Sequence, residues 1–160
     1  MTDPVSTVRD FDPPTLEWSD ALLLGYPAMD RTHEAFVRTV EALRHAPDEL
    51  LVDRLAALRE HLEAHFGEED RWMTETGFPP RDCHIDEHAA VLNSVREVQA
   101  LLDQGGDVEP CRRLADELVR WFPGHADYLD SALAAWMCKR RHGGKPVVVR
   151  RSIVSGHEPS

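Results

Sequence analysis

Four stretches of the chain repeat their apolar positions with gaps alternating between three and four, the period of one buried face on an α-helix. In the first, His33, Phe36, Val40 and Leu43 follow Asp30, which is placed to cap a helix, and Pro47 ends the segment. The second starts at Asp48 and carries Leu51, Leu55, Leu58, Leu62, His65, Glu69 and Trp72 before Gly77 and Pro79-Pro80. The third, with His84, His88, Val91, Val95, Val98 and Leu102, begins after Asp82 and stops at Gly105-Gly106. The fourth holds Leu114, Leu118, Trp121 and His125 and runs toward Met137. It contains Pro123, which removes a backbone donor and predicts a kink. Four amphipathic helices with short connections predict an all-α protein, an antiparallel up-down-up-down four-helix bundle.

The flanks have a different composition. Pro4, Pro13, Pro14, Gly25 and Pro27 predict an extended N-terminal arm over residues 1–28, with Trp18 and Leu22 to Leu24 available to dock it on an apolar surface. Residues 29–138 form the bundle. Residues 139–160 form a basic tail, with Lys139, Arg140, Arg141, Lys145, Arg150 and Arg151 against Glu158. The 160 residues suffice for one domain with its own core. With 18 Lys and Arg against 29 Asp and Glu the formal charge is -11, and the bundle is more acidic still. Such a body repels nucleic acid and anionic membranes, and the tail is free to fold back onto it or to meet a protein partner that its sequence does not specify. The apolar runs ALLLG and SALAAWM fall far short of the roughly 20 residues needed to span a membrane. Three cysteines, at 83, 111 and 138, form no CxxC pair, and the opening MTDPVSTVRDFDPP lacks the basic and apolar regions of a signal peptide. Both features predict a cytoplasmic location with reduced thiols.

Histidine changes the picture. Of nine, His33, His65, His84, His88 and His125 fall on the inner stripes, where a simple bundle carries Leu or Ile. Each unsatisfied polar group buried there costs roughly 1–3 kcal/mol, and a carboxylate costs more. A residue four positions on is rotated by only about 40° on a helix, so His65 and Glu69 aim at one point, as do His84 and His88. Imidazoles and a carboxylate converging from four helices suit a transition-metal site. His45, His142 and His157 lie near a helix end or in the tail and read as ordinary polar residues. His61, one turn before His65, reads as a surface group or an outer partner of the site rather than a ligand.

These motifs resemble the hemerythrins, in particular the single-domain bacterial ones. The resemblance rests on His33 in MDRTHEAF, His65 to Glu69 in HFGEE, His84 to His88 in HIDEH and His125 to Asp130 in HADYLD, with LEWSD similar to the family's N-terminal arm. It covers about residues 16 to 137 and implies two iron ions in an oxo- or hydroxo-bridged, non-haem centre. It places His84, His88 and His125 on one iron, His33 and His65 on the other, and Glu69 and Asp130 between them. It further implies dioxygen as the ligand, at the iron with two histidines. Phe66, Leu62, Val91 and Trp121 lie beside these positions and are available to line an apolar pocket. Pro123-Gly124 and Ala126, around His125, depart from the family's usual pattern.

His125 and Asp130 are five apart, which on a regular α-helix separates them by about 140°. Both reach one centre only through a π-type turn or a similar irregularity. Cys83 adjoins His84 but points elsewhere on the helix, which reads as a structural thiol rather than a redox switch. Three function classes follow: reversible oxygen binding for storage, delivery or sensing; an oxidase, peroxidase or nitric-oxide scavenger on the same centre; and a regulatory module whose occupied site repositions the tail on a partner. Oxygen-activating carboxylate bundles contribute Glu-x-x-His motifs. No histidine here has Glu three residues before it, which favours binding over catalysis.

Overall fold

The computed structural model describes residues 15–142. Its helices are α1 (Pro27–Arg44), α2 (Leu51–Glu75), α3 (Arg81–Asp103), α4 (Glu109–His125) and α5 (Ser131–His142). A π turn over Ala126–Asp130 joins α4 to α5 without leaving helical backbone angles, so the two make the fourth helix of the bundle. The α1 helix packs on α2 and α4, and α3 packs on the same two, which with the short links gives the antiparallel four-helix bundle. Among the described residues there is no strand, and no helix is long and apolar enough to cross a membrane. Residues 1–14 of the expected N-terminal arm and residues 143–160 of the basic tail lie outside the described residues. The tail's first residues, Lys139 to His142, continue α5.

Two links are set by glycine. Gly77 has φ +66° and follows the last turn of α2, where Phe78 N–H bonds to Met73 O at 2.9 Å and Gly77 N–H to Thr74 O at 3.3 Å. Phe78 is thereby laid against the same apolar cluster as Met73. Gly105, at φ +75°, ends α3 in the same way, through Gly106 N–H to Leu101 O and Gly105 N–H to Leu102 O. These turns set where α3 enters and leaves the bundle, and with it the height of His84 and His88.

The first helix starts a turn earlier than Asp30 suggests. Pro27 occupies its first position, where a missing N–H costs nothing and the fixed φ suits a helix. Asp30 instead accepts N–H bonds from Leu24 at 2.8 Å and Gly25 at 3.1 Å, and so ties the arm to the helix. The described part of the arm, from residue 15 on, is docked: Leu16 is buried and donates its N–H to Glu41, while Trp18 and Leu22 pack on the main core.

The core has two parts. The larger contains Phe36, Leu58, Leu62, Phe66, Leu118, Phe122 and Ala126, and the smaller contains Tyr26, Met29, Met73, Phe78, Leu133 and Cys138. Along each helix the change from one part to the other falls at a polar residue. His33 lies between Met29 and Phe36, Glu69 between Phe66 and Met73, and Asp130 between Ala126 and Leu133. A polar layer therefore crosses the bundle between two apolar blocks.

Candidate metal centre

Among the described residues the buried polar side chains are His33, His65, Glu69, His84, His88, His125 and Asp130, the seven expected from the motifs. Each helix contributes for a local reason. On α1 a single inner position suffices, on α2 and α3 the four-residue spacing stacks two groups on one face, and on the fourth helix the extra residue of the π turn brings Asp130 round. The turn is marked by a bond from Ser131 N–H to Ala126 O, five residues back. It shifts the inward stripe by one residue, so Leu133 is fully buried while Ala132 is exposed.

The two carboxylates divide their oxygens. Glu69 Oε2 lies 2.7 Å from His65 Nε2 and 3.5 Å from His33 Nε2, whereas Oε1 lies 3.5 Å from both His84 Nε2 and His88 Nε2. Asp130 Oδ2 lies 3.1 Å from His33 Nε2, whereas Oδ1 lies 2.9 Å from His84 Nε2 and 3.1 Å from His125 Nε2. Two donor sets result, Glu69, His84, His88, His125 and Asp130 on one side and His33, His65 and Glu69 on the other, each with its ligand atoms within 4.8 Å of one another.

Several of these buried atoms lack a hydrogen-bond partner: His33 Nδ1 and Nε2, Glu69 Oε1, His84 Nδ1 and Nε2, His88 Nε2, His125 Nε2, and both oxygens of Asp130. Nitrogen and carboxylate lone pairs gathered in an apolar interior at this cost fit a divalent transition metal.

Charge in the metal-free protein follows from this crowding. Burial pulls the His33 and His84 imidazoles down, but the Asp130 and Glu69 carboxylates outweigh it and raise both to about 9. Burial and the Asp130 charge push the Glu69 carboxyl up, and the surrounding histidines reverse this and hold it low. Asp130 is likewise held low, against burial, by His125, His33 and His84. Burial lowers His88 despite its bond to Asp70, and burial lowers His61 to about 4.

Outer partners fix three of the rings. His88 Nδ1 meets Asp70 Oδ1 at 2.7 Å, His125 Nδ1 meets Glu87 Oε1 at 2.9 Å, and His65 Nδ1 meets His61 Nε2 at 3.3 Å. Glu87 also accepts the Trp121 indole N–H at 2.7 Å. Asp70 and Glu87 are additions to what the motifs indicate, and their only mark in the sequence is that each sits one position from a ligand-type residue. Phe122 is another addition. It is buried edge-on to His33 at 5.2 Å, while neighbouring Trp121, the expected inner residue, is half-buried and lies over His125. Phe66 stacks on His88 at 4.1 Å and 5°. His45 is mostly exposed and pairs with Glu41, as an ordinary polar residue does. Cys83 is exposed, so it supports no packing, whereas Cys111 and Cys138 are buried.

A buried layer of imidazoles and carboxylates crossing a helical bundle defines a metal-binding four-helix protein. Residues 24–137 match the Hemerythrin HHE cation binding domain, and the chain belongs to the hemerythrin family. It is 40% identical to a bacteriohemerythrin of Ralstonia nicotianae over 127 residues, which is 79% of this chain and 92% of that relative. It is 28% identical to a bacteriohemerythrin of Stenotrophomonas maltophilia over 126 residues, 74% of this chain and 79% of that relative.

Proposed function

We propose that the protein binds dioxygen reversibly at a di-iron centre held by His33, His65, Glu69, His84, His88, His125 and Asp130. The observation that carries this reading is the division of oxygens on Glu69 and Asp130, which gives each carboxylate one oxygen for each histidine set. That is the arrangement two bridging carboxylates require. A pair of irons bound there supplies two electrons that oxygen can take up and return.

The chain supplies the rest. His84, His88 and His125 would hold one metal and His33 with His65 the other, and the smaller number of histidines at the second would leave it the better able to take an incoming molecule. The two carboxylates would offset half of the charge that two ferrous ions bring, and neutral imidazoles complete the set without adding to the remainder. Phe36, Phe66, Phe122 and Leu62, all essentially inaccessible to solvent, keep bulk water from the centre and slow the loss of reduced oxygen. The names of both relatives and the absence of Glu-x-x-His favour a binder over an enzyme.

The test is anaerobic loading with ferrous iron followed by repeated admission and removal of oxygen. The expected result is close to two irons per chain, about one oxygen taken up per pair, and a visible absorption band that appears with oxygen and disappears without it. Sustained oxygen consumption with a reductant at about 1 s⁻¹ or faster, with no recoverable oxygenated form, would make the protein an enzyme instead.

A further inference from the structure

The three outer hydrogen bonds are not of one kind. Two partners, Asp70 and Glu87, are carboxylates, and both serve rings of the set built on His84, His88 and His125. The third, His61, is an imidazole and serves His65 in the other set. With His65 Nε2 facing the centre, His65 Nδ1 carries the proton and donates it, so His61 Nε2 must accept and its ring must be uncharged. A carboxylate partner makes the donor ring more basic and a better metal ligand. A neutral acceptor orients the ring with little of that effect.

Surroundings accentuate the contrast. His61 and His65 both line a groove of about 410 Å³ between α1 and α2, together with Ala28, Arg31, Thr32, Ala35, Ala64 and Glu68. His88 stacks on Phe66 and His125 lies under Trp121, and neither lines that groove. One set is thus richer in imidazoles and backed by charge, while the other has two imidazoles, an uncharged outer partner and a bordering groove.

Resting on the di-iron reading above, we infer that His61 is a positioning residue for His65 and that the two metal positions fill in order. The position of His84, His88 and His125 fills first, and the position of His33 and His65 fills second and releases its metal first.

Cobalt(II) alone tests this, because its absorption reports coordination and no oxygen chemistry is involved. Anaerobic titration of the metal-free, full-length chain should show two steps separated by at least about tenfold. His61→Ala should weaken the second step by about 10–100-fold and leave the first unchanged. His61→Gln, whose side-chain oxygen falls where Nε2 does, should recover most of the loss. Asp70→Asn should weaken the first step instead. Far-ultraviolet circular dichroism of the metal-free His61→Ala protein should match wild type, which separates positioning from loss of the fold. A single step with two equal constants, or a His61→Ala loss shared by both steps, overturns the inference while leaving oxygen binding to its own test. Saturation at one cobalt overturns both this inference and the di-iron reading.

Discussion

The Glu87 carboxylate, on α3, lies 2.9 Å from Nδ1 of His125, on α4, with the same oxygen accepting the Trp121 indole N–H. One acidic side chain therefore orients a candidate ligand and clamps two helices at the level of the polar layer. Glu87→Ala should reduce affinity at the three-histidine position by about 10–100-fold. It should also shift the Trp121 fluorescence, since the indole loses its acceptor. Glu87→Gln should fall between, keeping an acceptor without the charge. Unchanged metal binding in Glu87→Ala would remove Glu87 from the site's architecture.

Protonation of the buried layer should give the metal-free protein a stability maximum close to pH 6.5. The folded-state pKa values of His33 and His84 are raised from 6.5 to about 9, so their contribution is complete below 6.5 and is lost as pH rises through 9. His61 has the opposite sign. Its pKa is lowered to about 4, so the unfolded chain takes up a proton first and stability falls as pH drops below 6.5. Urea unfolding of metal-free protein should show both limbs. Metal loading should abolish the alkaline limb, because the metals displace the protons of His33 and His84, about two per chain at neutral pH. Metal-free stability that is flat or rising from pH 6.5 to 9 would contradict the assignment of charge in the layer.

Two glycines of α2 and its cap should respond in opposite directions to alanine. A Cβ meets nothing within 4 Å at either Gly67 or Gly77, so only the backbone decides. Gly67 is inside the helix, and Gly67→Ala should stabilise by about 0.5–1 kcal/mol. Gly77 has φ +66°, and Gly77→Ala should cost about 1–2 kcal/mol. Denaturant midpoints measure both, and a stabilising Gly77→Ala would mean that the turn before α3 is not held as described.

Removal of residues 143–160 should leave metal content and the oxygen-dependent spectrum unchanged. Each residue of the candidate centre lies at or before Asp130, and α5 closes the smaller apolar block with Leu133, Ala134 and Cys138. Metal analysis of the shortened protein checks this, and a large loss would show that the basic tail packs against the bundle.

The helices were legible because burial on one face imposes a period, and Leu51, Leu55, Leu58 and Leu62 obey it without interruption. The inward polar residues were legible because they occupy the same period with the wrong chemistry for a core. Even the π turn was written in the spacing of His125 and Asp130. Asp70 and Glu87 were not, because each acts across to the next helix and no periodicity within its own helix marks it. Trp121 and Phe122 are adjacent aromatics, and only the packing of α4 against α1 selects Phe122 for the interior. The start of α1 was obscured by Pro27, which breaks a helix in the middle but suits its first position.

The π turn ties two parts of the molecule to one insertion. Upstream of it the fourth helix faces the core in one frame, and downstream in a frame one residue later. Winding the turn into a regular helix with every residue kept would rotate Asp130 by about 100°, away from His33, His84 and His125. The same straightening would rotate Leu133, Ala134 and Cys138 out of contact with Tyr26 and Met29. Neither loss can occur without the other. A stretch of chain that a purely mechanical scaffold would straighten is thus protected against repair by its own downstream packing.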